Sequence, residues 1–338
     1  MTIAVPSVAL GDGLNVSAIG FGAMALTPVY GEVDDAESLE TLNHCLDVGV
    51  TFIDTANIYG GGENERLIAK VLTTRREEVT LATKFGIMGN PADSAAGRPP
   101  VRGDAAYVRQ CIDESLQRLN TDVIDLYYLH RRDLNVPIEE TVGAMAELVT
   151  AGKARHLGLS EVTADELRAA IAVHPIAAVK SEWSIWSRDV ERNVVPTAAE
   201  LGVGFVPYSP LGRGFLTGTV RSAADLSSPT DFRRKLPRFG EGALDANLAV
   251  VNVVMSVADE LSATGAQVAL AWLRHRGAKF GVSAVAIPGT RRAARVDENV
   301  GSLAVTLTPD QLAALDAAGA TVAGDRFQDL GWLSAGRE

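Results

Sequence analysis

The 338-residue chain holds only two cysteines, Cys45 and Cys111. Both fall in segments with helical periodicity, where a small apolar side chain packs well, so neither a disulfide nor a metal site is expected. Basic residues are also few: 31 Lys and Arg face 42 Asp and Glu, a formal charge of 31 − 42 = −11. Nucleic-acid binders neutralise phosphates with basic patches, so this balance speaks against nucleic acid as a partner. No apolar run reaches the length of a membrane span. The opening MTIAVPSVAL has no basic segment ahead of a long apolar core. The expectation is therefore a cytoplasmic protein without signal peptide or membrane partner. No linker rich in Pro, Gly or Ser divides the chain, and no short repeat recurs. At 47% hydrophobic and 22% charged, the composition suits a large α/β domain over residues 1–338.

What is present is a rhythm. After a hairpin signal at LGDGLNV come strand-like runs at VSAIGFG, VTFID, EVTLATK, DVIDLYYLH, ARHLGLS, AAVKSEW, VGFVPYS and VSAVAIPG, eight in all. Helical patterns separate most of them, among them DDAESLETLNHCLDVG and DAAYVRQCIDESLQRL. Strands alternating with helices imply parallel pairing and right-handed crossovers. Eight such units suit a closed (β/α)8 barrel (a TIM barrel) with an N-terminal β-hairpin and extra C-terminal helices, the rival being an open doubly wound sheet. Three stretches break the rhythm: 85–103, 208–244 and the tail 320–338. Two of them follow strands, and long irregular loops on the strand-exit side are expected to shape a substrate site.

GFGAMA, residues 20–25, matches the Gly-x-Gly-x-x-Ala pattern of a dinucleotide turn. That pattern works only when a helix begins at once, so that its N-terminus faces a pyrophosphate. Here Pro28, Tyr30 and Gly31 intervene and the helix waits until about Asp34. The glycines are read instead as room for close backbone approach at the barrel mouth.

A barrel places its chemistry at the C-terminal ends of the strands. Those ends carry Asp54, Lys84 and His130 on three successive strands, with Tyr59 on the loop after the first of them. Each alone has a plain structural reading, but neighbouring strands should bring them to one rim. An ammonium beside a phenol favours the phenolate, and a carboxylate holds the ammonium charged. Tyr59 is thus a candidate general acid for a developing alkoxide, with His130 able to hydrogen-bond the incoming oxygen. No serine or cysteine stands beside a base, so a hydride from a nicotinamide would complete the chemistry.

DTANIYGGGENE, ATKFG, LYYLHRRD, GKARHLGLSE, YSPLGRGFLTG and IPGTRRAARVDEN, in this order and spacing, resemble the aldo-keto reductase family. The resemblance spans the chain from GFGAM to the Asp-Glu-Asn near 299. Within the family it points toward the branch resembling pyridoxal and perakine reductases. It implies a barrel that binds NADPH or NADP+ across its rim and reduces an aldehyde or ketone. The family's tetrad falls on Asp54, Tyr59, Lys84 and His130, with Tyr59 as proton donor. The resemblance puts the nicotinamide carboxamide near Ser160 and its ring on Tyr208. It puts the pyrophosphate under Ser209, Pro210, Leu211, Gly212 and Arg213. The adenosine end falls to Gly289, Thr290, Arg291, Arg295, Glu298 and Asn299. Two arginines near a helix start suit a phosphate dianion, which favours NADP over NAD. Arg233, Arg234 and Lys235 are further candidates for the phosphates.

Lys180 stands where the family commonly has glutamine, and Glu161 where it often has Asn or Asp. Either could take over the carboxamide contact. Phe21, Met24, Phe85 and Trp183 are candidate apolar walls for a small-molecule carbonyl substrate, joined by the tail around Phe327 and Trp332. Two other functions are weighed: a Schiff-base lyase with Lys84 as nucleophile, and a cofactor-binding regulatory subunit resembling potassium-channel β-subunits.

Overall fold

The computed structural model describes residues 3–89, 99–226, 228–229, 231–240 and 242–338. Part of the 85–103 loop and three positions of the 208–244 loop thus lie outside the described residues. The chain begins with an antiparallel hairpin of β1 (Ser7–Ala9) and β2 (Asn15–Ser17). Seven parallel strands follow in sequential order: β3 (Phe21–Gly22), β4 (Phe52–Asp54), β5 (Thr80–Phe85), β6 (Ile124–Leu129), β7 (Ala154–Ser160), β8 (Ala178–Glu182) and β9 (Gly204–Tyr208). Around them lie α1 (Asp35–Asp47), α2 (Glu63–Arg75), α3 (Ala105–Leu119), α4 (Ile138–Thr150), α5 (Ala164–Ile171), α6 (Val194–Glu200) and α8 (Gly265–Phe280), with α7 (Ala243–Glu260) preceding the last of these. α9 (Ala293–Gly301) and α10 (Pro309–Gly319) complete the helices. Among the described residues no single helix is long and apolar enough to cross a membrane.

Two expected strands take a different form. The 16–22 run is split, its first residues pairing in the hairpin and its last two in the barrel. The eighth run is extended without being a regular strand, yet it closes the ring. Val285 N donates to Phe205 O at 2.9 Å on one side, and Gly20 N donates to Ala286 O at 2.9 Å on the other. The glycines of GFGAMA permit this seam. A Cβ on Gly22 would stand 2.7 Å from the Ile287 carbonyl, and one on Gly289 2.4 Å from the Gly22 carbonyl. No α-helix follows them directly; α1 starts only after Asp34, whose carboxylate caps the Glu37 N–H.

Side chains alternate between two cores, as a strand's period of two requires. Phe52, Ala82, Leu126, Tyr128, Ala178, Val206, Val285 and Ile287 fill the barrel interior, closed below by Leu14 and Val16 of the hairpin. The intervening positions, such as Ile53, Leu81, Tyr127 and Phe205, pack against the helices. The interior is tight at Gly158, where a Cβ would come within 2.4 Å of the Tyr128 ring. Gly158→Ala should therefore lower the denaturation free energy by about 1–3 kcal/mol through overpacking. An unchanged denaturant midpoint would show that the Tyr128 ring can move aside.

Candidate active site

The same alternation builds the top of the barrel. Two residues beyond Phe52, Ala82, Tyr128, Ala178 and Val206 stand Asp54, Lys84, His130, Lys180 and Tyr208. The inward faces of five strands thus deliver a polar layer onto an apolar one, and Tyr59 reaches it from the short helical turn after β4. Asp54 lies at the centre. Its Oδ1 is 2.8 Å from Lys84 Nζ, and its Oδ2 is ion-paired with Lys180 Nζ. Lys84 also donates to the Thr55 carbonyl at 2.5 Å and to the Tyr59 hydroxyl at 3.2 Å. Its ammonium lies 4.6 Å from the centre of the Tyr59 ring. The His130 ring meets the Tyr59 ring edge-on at 6.0 Å between centroids.

Burial would drive these charges out, and ion pairing opposes it. Burial raises the Asp54 pKa, but the two ammoniums outweigh it and hold the carboxyl below its ordinary value. Burial lowers Lys84, but Asp54 and Tyr59 outweigh it and the ammonium is held above its ordinary value. Lys180 goes the other way: burial first, then Lys84 and Arg131, outweigh Asp54 and push it down to about 7. His130 is driven well below its usual range by burial and by Lys84, Arg131 and Lys180, so the imidazole is neutral. Asp54 thus works against the uncharged amine that the rival Schiff-base reading needs at Lys84.

These groups open into a cavity of about 640 Å³. Of the candidate cofactor residues, Ser160, Tyr208, Ser209, Pro210, Leu211 and Arg213 line it, as do Gly289, Thr290, Arg291, Arg295, Glu298 and Asn299. Gly212 does not; it is tucked beneath the loop, where a Cβ would stand 2.8 Å from the Trp186 indole. Arg233 and Lys235 line the cavity too. Arg234 is instead tied to the carbonyls of Ser228 and Leu226. Arg291 spans to the Glu32 carbonyl. Among the described residues the Arg295 guanidinium has neither a carboxylate nor a carbonyl partner.

The expected apolar walls need correction. Met24 lines the cavity, but Phe21, Phe85 and Trp183 do not. Phe85 stacks on Tyr127 at 5.1 Å, and Trp183 packs on Phe205 at 5.2 Å. Phe85 and Trp183 each sit one position beyond an inward residue, so the pleat turns them toward the helices; Phe21 likewise belongs to the outer core. Phe327 and Trp332 of the tail line the cavity with Met24, and Ile58, Ile87 and Phe232 add apolar surface that was not expected.

Neither Glu161 nor Lys180 is idle. The Glu161 carboxylate accepts from the Tyr208 hydroxyl at 2.7 Å, from Arg326 at 3.1 Å and from the Ser334 N–H at 3.1 Å. Arg337 donates to the Glu161 carbonyl at 2.7 Å. One buried carboxylate thus straps the C-terminal tail to the rim and fixes the Tyr208 ring. No local pattern signals this, since the tail residues that join Glu161 lie 165 to 176 positions away. Burial opposes the charge, but Arg326 and Arg131, with the hydrogen bonds, bring Glu161 from an ordinary 4.5 down to about 2. A depressed carboxyl stabilises the fold above its unfolded pKa and loses that contribution as pH falls through the folded one. Glu161→Gln should thus weaken the tail's attachment at neutral pH by about 3 kcal/mol. The gap from wild type should close between pH 4.5 and about 2. Tryptic release of the tail at neutral pH and acid unfolding curves check this; equal tail protection in the two proteins would refute the strap.

Comparison with known proteins agrees with this geometry. The Aldo/keto reductase family profile matches residues 18–320. A thermostable aldo-keto reductase, Tm1743, solved with the inhibitor epalrestat, is 28% identical with a TM-score of 0.71. That match covers 93% of this chain and 99% of the other. The aldo-keto reductase AKR11C1 from Bacillus halodurans, in its holo form, is 27% identical with a TM-score of 0.75, covering 99% of this chain and 100% of its own. The glycerol dehydrogenase AKR11B4 from Gluconobacter oxydans is 25% identical with a TM-score of 0.79, covering 94% of each chain. With a barrel closed by its eighth segment and a family match over most of its length, the chain belongs to the aldo-keto reductase family, a family of oxidoreductases acting on carbonyl compounds.

Proposed function

We propose that this protein is an NADPH-dependent reductase of aldehydes or ketones in which Tyr59 delivers the proton. The observation that carries the reading is the hydrogen bond from Lys84 Nζ to the Tyr59 hydroxyl at 3.2 Å, with Asp54 behind the lysine. As the phenolic proton leaves, negative charge develops on the tyrosine oxygen, and the ammonium stabilises it. Asp54 and the Thr55 carbonyl keep that ammonium charged and aimed. The neutral His130 imidazole can hydrogen-bond the carbonyl oxygen without competing for the proton. Trp332, Phe327, Met24 and Ile58 cover the site with apolar surface, which limits water where the charge develops.

The donor set supports a dinucleotide phosphate in the same cavity. Ser209, Pro210, Leu211 and Arg213 of the loop after β9 line it, as do Thr290, Arg291, Arg295, Glu298 and Asn299 after the eighth segment. When bound, such a cofactor supplies the hydride to the carbonyl carbon. Ser160 and the Tyr208 ring are the proposed contacts of its nicotinamide end, and Arg295, which has no carboxylate or carbonyl partner among the described residues, that of a 2′-phosphate. Lys180 is engaged by Asp54 and Glu161 by the tail, so neither is proposed for the carboxamide.

A Schiff-base reading has one observation in its favour, the Lys180 amine pushed down to about 7. It leaves the arginines at the far end of the cavity without a role. Borohydride trapping in the presence of benzaldehyde would label Lys180 if that reading held, and should leave the protein unlabelled.

Tyr59→Phe should reduce turnover of an aldehyde such as benzaldehyde by about 10²–10⁴-fold, the usual weight of a general acid. NADPH affinity, followed by fluorescence titration, should stay nearly unchanged. Wild-type turnover in that variant would remove Tyr59 from the chemistry. Arg295→Ala should weaken NADPH binding by about tenfold or more, the loss of a charge-assisted phosphate contact, and NADH binding far less. Equal losses for the two cofactors would place the 2′-phosphate elsewhere.

A further inference from the structure

Arg131 leaves β6 directly after His130 and is only 6% exposed. A guanidinium buried so deeply ordinarily faces a carboxylate, because an unpaired buried charge is strongly unfavourable. The other arginines of this rim follow that rule: Arg213 has Glu182 at 3.6 Å, and Arg326 has Glu161 at 3.1 Å. Among the described residues Arg131 has no carboxylate at ion-pair distance. Its Nη1 donates to two neutral acceptors, the His130 carbonyl at 2.7 Å and the Ser160 hydroxyl at 3.2 Å. Its Nε is buried without an acceptor. The guanidinium is held against the rings of Trp332 at 4.8 Å and Tyr208 at 5.9 Å. It lines the cavity that Tyr59, Lys180 and Phe327 line.

The nearby carboxylates are already engaged. Asp54 serves both Lys84 and Lys180, and Glu161, which Arg131 acts on only from beyond ion-pair distance, is hydrogen-bonded to Arg326, Tyr208 and Ser334. The reacting end of the cavity therefore has more basic groups than acidic ones. The arginines proposed for the cofactor phosphates, Arg291 and Arg295, belong to the segment after the eighth strand position, whereas Arg131 stands beside His130 under the tail. A planar guanidinium fixed between aromatic rings presents its donors in a constant direction, which suits a planar carboxylate.

We propose that Arg131 recognises a carboxylate on the substrate, so that the preferred carbonyl compound is an oxo acid whose apolar body lies against Phe327 and Trp332. This rests on the reductase reading above and extends it to the substrate class. No bond is made at Arg131; it binds and orients, and the proton still comes from Tyr59.

The test compares 2-, 3- and 4-carboxybenzaldehyde with the corresponding neutral carbamoylbenzaldehydes, NADPH consumption being followed at neutral pH. For at least one ring position the wild type should favour the acid by about tenfold or more in kcat/KM, chiefly through KM, as expected for a charge-assisted contact. That ratio should fall to near unity in Arg131→Met and lie between in Arg131→Lys. Because the readout is a ratio, it holds whatever absolute rate a variant retains. If Arg131→Met does not fold, the wild-type ratio and the Arg131→Lys ratio still decide. A second readout needs no turnover: benzoate should perturb the intrinsic tryptophan fluorescence, to which Trp332 contributes, benzamide should not, and Arg131→Met should abolish the response. Equal use of acids and amides by the wild type, or a preference that survives Arg131→Met, would overturn the proposal while leaving the reductase reading intact. No turnover of any aldehyde, with benzoate binding still dependent on Arg131, would instead overturn the reductase reading and keep the anion site.

Discussion

One carboxylate shared by two lysines governs this site. Asp54, Lys84 and Lys180 are each about 2% exposed, and removing such charges from water costs several kcal/mol apiece. A hydrophobic trio would fill the same space more cheaply, so the arrangement is understood through what it does for its neighbours. Two ammoniums cannot both be fully satisfied by one carboxylate at close range. Lys84, with Tyr59 and the Thr55 carbonyl as further acceptors, keeps its proton. Lys180, whose other neighbour is the face of Tyr128 at 4.4 Å, is the one that gives way. The asymmetry leaves a firmly charged group beside the phenol and places the titratable one on the far side of Asp54.

That asymmetry depends on the barrel interior beneath it. Tyr128 can lie across the axis under Lys180 only because β7 offers Gly158 as its register partner. The pleat then stacks a charged layer directly above an aromatic and aliphatic one, and the low-dielectric floor strengthens every interaction in the layer above. The same burial, with three cations nearby, leaves the protonated form of His130 unsupported and keeps its imidazole neutral. The charge states on which the proposed roles rest are thus set by depth in the barrel as much as by residue type.

The strand–helix alternation, the order of the strands and the charged ends of three of them were legible in the sequence, because each is local and periodic. So was the rejection of GFGAMA as a dinucleotide turn, which needed only the proline, tyrosine and glycine that follow it. The misplaced walls could have been avoided with the same tool. Once Lys84 is taken as inward, Phe85 must point outward, and Trp183 stands to Glu182 as Phe85 does to Lys84. Gly212 failed differently, since a motif gives a loop's path and not which of its residues turn inward. The Glu161 strap was beyond reach of any pattern, for Arg326, Ser334 and Arg337 join it only through the tertiary fold. Arg131 was written in the quoted LYYLHRRD, but that it meets no carboxylate among the described residues is visible only in three dimensions.

The charge of the whole chain sharpens the role of these buried cations. At −11 the protein repels anions at long range, so electrostatic steering would not explain capture of the proposed phosphorylated cofactor or acidic substrate. Beyond about 8 Å at physiological salt that repulsion is screened. Inside the cleft cations gather: Lys84, Arg131 and Arg213 are nearly dry, and Arg295 lines it with no carboxylate or carbonyl partner among the described residues. Affinity for anions must then come from contact in a desolvated pocket, where geometry decides which anion fits. A site built this way selects by fit and gives up speed of encounter, which accords with a tail strapped to the rim through Glu161 beside the cavity.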